Sequence, residues 1–442
     1  VEVHRLRQRL RGRGLAAARS TEDTALAAAG DGGTPPAGPV SAAPPFDHRF
    51  SKVPLACVGL SAPTAHDLPA AEPHSDDVSS PEAWRPHAMS TGSNGELSPA
   101  APAASAGDAA PGLRTADLLP GKRLPLLLEP ASGDLDLAAW ARQHRGWIED
   151  RLRERGALLW RGFGIASVAA FESFALAVCE NLFGEYGDLP SAAGGDKVYQ
   201  STPYPADKTI LFHNESSHMH RWPLKQMFFC LQPSQQGGET PIVDCREMLR
   251  TLPANVVQRF AEKQLLYIRN FTPGLDVSWQ DFFHTADRAA VEAYCRGAGI
   301  DCAWTEGGLR TRQRAVAVAR HPVTGEDVFF NQVQLHHASC LEPELREALA
   351  ALFPEEDFPR HVVYGDGSAI EDWVMGEVSR AYWSSAVSFP WRQGDILMLD
   401  NMLVAHARNP YAGPRRIVVA MGEMFEQRSL AGAPGIAAAP IG

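Results

Sequence analysis

Apolar positions along the chain fall into two kinds of run. In LDLAAWARQHRGWIEDRLRERG, Leu137, Trp140, Trp147, Ile148 and Leu152 recur at helical spacing and Gly156 stops the segment, which predicts a helix. ALLWRGF (157–163) predicts a short buried strand, and SVAAFESFALAVCENLF (167–183) a second helix. From residue 209 short apolar runs dominate: TILFH, QMFFCL, TPIVD, LLYIRNF, RAVAVARH, DVFFNQV, DILMLD and IVVAMGEMF. Turn residues separate them, among them Gly237-Gly238, Pro322 with Gly325, Gly394-Asp395 and Gly413-Pro414. Helices are predicted between them at about 253–263, 287–297, 342–352 and 369–382. Many strands around one core with helices outside predict a mainly β fold (α+β) of barrel or jelly-roll type.

Composition divides this pattern. Residues 1–115 hold 14 of the 34 prolines and are rich in Ala, Gly and Ser. Such a segment buries too little apolar surface to offset its ordering entropy, so it reads as a disordered leader. Its arginines at positions 5, 7, 9, 11 and 13 lack a following apolar segment, which disfavours a secretory signal. Met89 opens a Ser/Gly-rich stretch, and the sequence leaves open whether residues 1–88 belong to the native protein. One catalytic domain is expected over 116–430, followed by a flexible tail, 431–442.

Charge and cysteine content narrow the function. With 41 Lys+Arg against 52 Asp+Glu the net charge is −11, the wrong sign for a nucleic-acid binder. The absence of a long apolar segment predicts no transmembrane helix. Seven cysteines with no C-x-x-C pair disfavour both a disulfide framework and a thiolate zinc site, and point to a reducing cytoplasm.

The sharpest chemical signal is His213-Asn214-Glu215 in ILFHNESSH. On a strand, residues 213 and 215 share a face, which places an imidazole beside a carboxylate. His406, closing the apolar run of GDILMLDNMLVAH, is the candidate third ligand. Two histidines and one carboxylate form the facial triad of non-haem iron(II) oxygenases. Ten residues on, Arg416 lies in an apolar strand and needs a carboxylate partner. A bidentate pair with a dicarboxylic cosubstrate meets that need, and Thr240 offers a hydroxyl to the same group.

HNESSH, Trp222-Pro223, GGETPIVDCR (237–246), HPVTGEDVFFNQ (321–332), YGDG (364–367) and the 389–416 block follow one another in order. In this series the chain resembles the Fe(II)/2-oxoglutarate-dependent dioxygenases of the taurine dioxygenase (TauD/TfdA) family. It is most similar to the SyrP-like and clavaminate synthase-like branch, which also has Glu in the H-x-E motif. The resemblance covers about 150–425. It implies a double-stranded β-helix (cupin-like) core and iron ligands at His213, Glu215 and His406. It also implies that Arg416, with Thr240, binds the distal carboxylate of 2-oxoglutarate; Arg415 is the alternative, since alternation admits only one of the two to the pocket. The taurine enzyme holds its sulfonate with an arginine four residues beyond the cosubstrate arginine. Counted from Arg416, that position is Ala420, so a substrate held by this contact is not expected. Glu215 fills the position that related halogenases leave to a halide, so hydroxylation is expected with Fe(II), 2-oxoglutarate and O2.

Around this centre, Ser217, Asn331, Gln334, Asp400 and Asn401 are candidates for substrate contact or for orienting the ligands. Tyr199, Thr202 and Tyr204 are candidates for a lid. The expected substrate is an amino acid, free or tethered to a carrier protein, in specialised metabolism. The competing readings are a zinc-dependent hydrolase and an inactive β-barrel binding protein. Sequence leaves the oligomeric state open.

Overall fold

Side-chain alternation along the Arg221–Gln232 strand divides its residues between two cores. Phe228 and Cys230 point into one, and Met227 and Phe229 into the other. Both faces of this strand are therefore covered, which is why its sequence reads as an unbroken apolar run rather than an alternating one. It sits in a seven-stranded sheet ordered Leu113–Leu119, Lys122–Pro130, Ala157–Trp160, Ile396–Asp400, Arg221–Gln232, Arg416–Glu426, Tyr199–Gln200. The structure is a computed structural model and describes residues 110–133, 135–183, 195, 197–201, 204–306 and 308–430. The leader up to residue 109, the tail 431–442 and Thr202 lie outside the described residues. Composition drew the leader's boundary at 115; the first strand, Leu113–Leu119, runs through that point.

On the outer face of the large sheet lie three helices, Leu137–Gln143, Arg145–Arg155 and Val168–Val178. They bury Trp140, Ile148, Leu152, Phe171 and Phe174 against Met227, Phe229, Met398, Val418 and Ala420. The single helix predicted over 137–155 is broken at His144. There the imidazole stacks on Trp140 at 4.3 Å and its Nδ1 bonds the Trp140 carbonyl at 2.9 Å. Gly156 ends the second helix as expected, at φ 78°, a left-handed conformation that suits glycine. A Cβ there would also lie 2.8 Å from Val404 Cγ2.

The inner face of the large sheet meets a small sheet of Ile210–His213, Val404–Arg408 and Ile242–Asp244. Ile242, Val243, Ala405 and Phe212 share one apolar core with Phe228, Leu397, Leu399, Ile417 and Val419. This two-sheet sandwich is the expected jelly-roll core with peripheral helices. A further antiparallel sheet, Asp301–Thr305, Gly308–Ala315, Leu265–Phe271 and Arg360–Tyr364, contributes its edge strand to the rim of the central pocket. No described helix is long and apolar enough to cross a membrane.

A buried bidentate ion pair ties the large sheet to the loop before Ile396. Arg161 Nε and Nη2 donate to Asp395 at 3.0 and 2.7 Å, and Asp395 is 1% exposed. Asp395→Ala leaves a buried guanidinium without its counter-charge and is expected to cost about 3–5 kcal/mol. The midpoint of urea unfolding, at constant slope, measures the loss.

Candidate active site

His213 is the last residue of its strand, and Val404–Arg408 pairs beside it with His406 directly opposite. That register puts the two imidazole rings 4.2 Å apart between centroids. One potential ligand atom from each of His213, Glu215 and His406 lies within 4.8 Å of the others, and all three residues are buried. His213 Nδ1 lies 2.7 Å from the Leu211 carbonyl. A carbonyl only accepts, so Nδ1 carries the proton and Nε2 presents its lone pair to the centre. Two imidazoles and one carboxylate brought this close are a donor set that would hold Fe(II) and leave it room for further ligands.

Strand alternation does not place Glu215, because the strand ends at His213 and Glu215 opens a turn. Two asparagines position it instead. Asn401 Oδ1 accepts from the Glu215 N–H at 2.7 Å, and Asn401 Nδ2 donates to the Glu215 carbonyl at 2.9 Å and the Pro223 carbonyl at 2.8 Å. In return Asn214 Nδ2 donates to the Asn401 carbonyl at 2.7 Å. Both asparagines are fully buried. Gln226 Nε2 then donates to Glu215 Oε2 at 3.0 Å, which orients the carboxylate. Gln226 is a functional residue that the sequence reading missed. Its signal was a lone amide opening the apolar run QMFFCL.

The other sequence candidates divide between pocket and scaffold. Thr240 lines the pocket and accepts from Trp391 Nε1 at 3.2 Å. Ser217 faces away and donates to the Asn214 carbonyl at 2.9 Å, closing the turn. Asn331 brackets the same segment: its N–H donates to Asn214 Oδ1 at 3.2 Å and its carbonyl accepts from the Asn214 N–H at 3.1 Å. Asp400 caps the Met402 and Leu403 N–H groups and pairs with His321 Nε2 at 3.1 Å. Ser217, Asn331, Asp400 and Asn401 are thus supports rather than pocket walls. Tyr204 and Gln334 do line the pocket, and Tyr199 packs in the core.

The preference for Arg416 is corrected. Ile417, Val419 and Met421 line the pocket, while Val418 and Ala420 pack under the outer helices. By the same parity Arg415 faces the pocket, and Arg416 is exposed. The position four residues beyond the pocket arginine is therefore Val419, not Ala420; it is apolar and in the wall. Arg415 Nε donates to the Gly238 carbonyl at 2.9 Å. Gly238, at φ 73°, has room for this contact only without a side chain, since a Cβ would lie 3.0 Å from Arg415 Cδ and Nε and 2.5 Å from Ser234 Oγ. Burial, and then the neighbouring Arg408, pull the Arg415 guanidinium down to about 10. It remains charged at neutral pH and gains from an anion beside it.

The pocket encloses about 290 Å³ between the two sheets and holds the triad, Thr240 and Arg415 together. Cys340 also reaches it, but burial pushes its thiol up to about 11, so it stays protonated. Asn401→Ala removes the grip on Glu215 and is expected to weaken Fe(II) binding about 10- to 100-fold, as judged by anaerobic competition with a chromogenic chelator.

Comparison with known proteins agrees with this geometry. The family described as taurine catabolism dioxygenase TauD, TfdA matches residues 120–421. The dapdiamide synthesis protein DdaC of Enterobacter agglomerans is 39% identical over 276 residues, 62% of this chain and 84% of that protein. A clavaminate synthase-like protein of Arabidopsis thaliana is 26% identical over 326 residues, 68% of this chain and 94% of that protein. With the family match spanning most of the folded body and a His-Glu-His centre inside it, the chain belongs to the TauD, TfdA family and is an Fe(II)- and 2-oxoglutarate-dependent oxygenase.

Proposed function

We propose that the enzyme hydroxylates an amino acid, free or carrier-tethered, in specialised metabolism. The observation that carries the reading is the convergence of His213, Glu215, His406 and Arg415 on one pocket. His213, Glu215 and His406 would hold the iron. Arg415, with Thr240, would seat the distal carboxylate of 2-oxoglutarate. When bound, the metal and cosubstrate supply the oxidising chemistry, in which 2-oxoglutarate and O2 give succinate and carbon dioxide as a substrate C–H bond is oxidised.

The chain's own residues bind, orient and shield. The Leu211 carbonyl fixes the His213 tautomer, and Gln226 fixes the carboxylate of Glu215. Glu215 keeps the third protein position occupied, which supports hydroxylation over halogenation. Arg408 secures the 204–208 segment beside the pocket by donating to the carbonyls of Tyr204, Pro205 and Lys208 at 3.1, 2.5 and 2.7 Å. Phe228, Ile417, Val419 and Met421 give the centre apolar walls that limit water. A zinc hydrolase or an inactive barrel would leave Arg415 and the Gly238 contact without a role. The DdaC relative's part in dapdiamide synthesis supports the setting in specialised metabolism.

Oxygen uptake coupled to succinate formation tests the reading. The parent protein should turn over 2-oxoglutarate with Fe(II), and His213→Ala and His406→Ala should not. Parent-like consumption by both variants would refute the triad.

The two adjacent arginines give a sharper contrast. Arg415→Leu is expected to raise the Kd for 2-oxoglutarate about 100-fold, as for loss of a charge-assisted contact, whereas Arg416→Leu should change it less than about twofold. Calorimetric titration of 2-oxoglutarate into each variant checks both.

A further inference from the structure

Besides Arg415 and Arg408, the pocket contains a cationic group on another sheet. Arg360 opens the edge strand Arg360–Tyr364 and lines the pocket. Its direct cross-strand neighbour is Arg269. Like charges facing each other across a ladder are unfavourable unless a counter-charge intervenes. Asp276, 1% exposed, provides one: its Oδ2 accepts from Arg269 Nη2 at 3.2 Å and from Arg360 Nε at 3.4 Å. Burial raises this carboxyl, but the two guanidiniums together outweigh it and hold it below the usual carboxylate range.

The single carboxylate of Asp276 is shared between the two guanidiniums. Arg360 Nη2 is buried and has no hydrogen-bond partner among the described residues. His336, also in the pocket wall, offers no compensation: burial, and then Arg360, push its imidazole down to about 3, so it is neutral. Gln334 also lines the pocket, at 2% exposure, and neither its Oε1 nor its Nε2 has a partner among the described residues. A buried donor and acceptor without partners are costly, and they mark a place that a ligand completes.

We propose that Arg360 and Gln334 form a carboxylate-binding subsite for the substrate. The class that fits is a free organic acid with a second polar group, such as an unesterified amino acid. An α-carboxyl tied up in a thioester has lost the charge it would give Arg360. The inference rests on the reading of this pocket as the oxygenase site and narrows its substrate: the acid is recognised by the sheet that carries Arg360, and the cosubstrate by the sheet that carries Arg415.

The experiment uses the Fe(II)-loaded enzyme with 2-oxoglutarate, kept anaerobic for calorimetry and aerated for succinate formation. The probes are the free L-amino acids, their α-carboxamides and their N-acetylcysteamine thioesters. Free acids should bind about 10- to 100-fold more tightly than the matched amides or thioesters. Arg360→Met should abolish that preference, Arg360→Lys should retain part of it, and the Kd for 2-oxoglutarate should be the same in all three proteins. The subsite is refuted if no free-acid preference is found in the parent, if Arg360→Met keeps one, or if Arg360→Met loses 2-oxoglutarate binding. Should Arg360→Met fail to fold, the parent and Arg360→Lys comparisons still decide. Failure of the parent itself to bind 2-oxoglutarate would instead overturn the oxygenase reading.

Discussion

The site depends on how the backbone at Glu215 is held. A chain leaving a strand and turning has no ladder to fix the next carboxylate. Here a side-chain amide takes the place of the ladder: Asn401 binds both the N–H and the carbonyl of Glu215, as a neighbouring strand would. Asn214 returns the contact to the Asn401 carbonyl. The two segments are 186 residues apart in sequence, yet this exchange locks them in one register. Because Asn401 lies five residues before His406, the same lock that sets Glu215 also bears on the strand that delivers the third ligand. A buried amide network of this kind is rigid only when all its members are satisfied. Asn214 also takes contacts from Asn331, Gln332 and Ser217, which spreads the constraint over three loops.

A second constraint is electrostatic. The pocket carries Arg408, Arg415 and Arg360 against the carboxylate of Glu215, with Asp276 beside Arg360 and a Lys208–Glu342 pair at the rim. Three carbonyls accept from Arg408 Nη1 and Nη2, but they do not answer its charge. Arg415 is pulled down both by burial and by Arg408. Such an arrangement is costly when empty, and anionic ligands relieve it. Rigidity around the metal and unmet positive charge around the ligands are complementary. The first fixes where oxidation occurs, and the second selects what is brought there.

Much of this was legible in sequence because its periodicities are local. The strands and helices follow from apolar spacing, and H-x-E with a distant His follows from ligand chemistry. Gly156 was readable as a helix stop. Gly237-Gly238 was readable as a turn, though not as the cradle of Arg415. The choice between Arg415 and Arg416 was nearly legible: placing Ile417, Val419 and Met421 on the pocket face assigns Arg415 by parity. That step needs to know which of two apolar faces encloses the pocket. With both faces of the strand buried, the sequence looks the same from either side. The break at His144 and the strands before residue 130 carried no comparable local signal.

The sequence by itself brought out the candidate donor set and the jelly-roll class, because ligand identity and apolar period are properties of short segments, and its ordered motifs carried the resemblance to the family. Tertiary structure alone decided that Gln226 orients Glu215, that Asn401 grips a peptide rather than an imidazole, and that Arg360 and Gln334 line one pocket. The first two are contacts between residues 11 and 186 positions apart. Their chemistry is that of ordinary amides and guanidiniums, which become distinctive only when burial removes water and leaves each group to the partners the fold supplies.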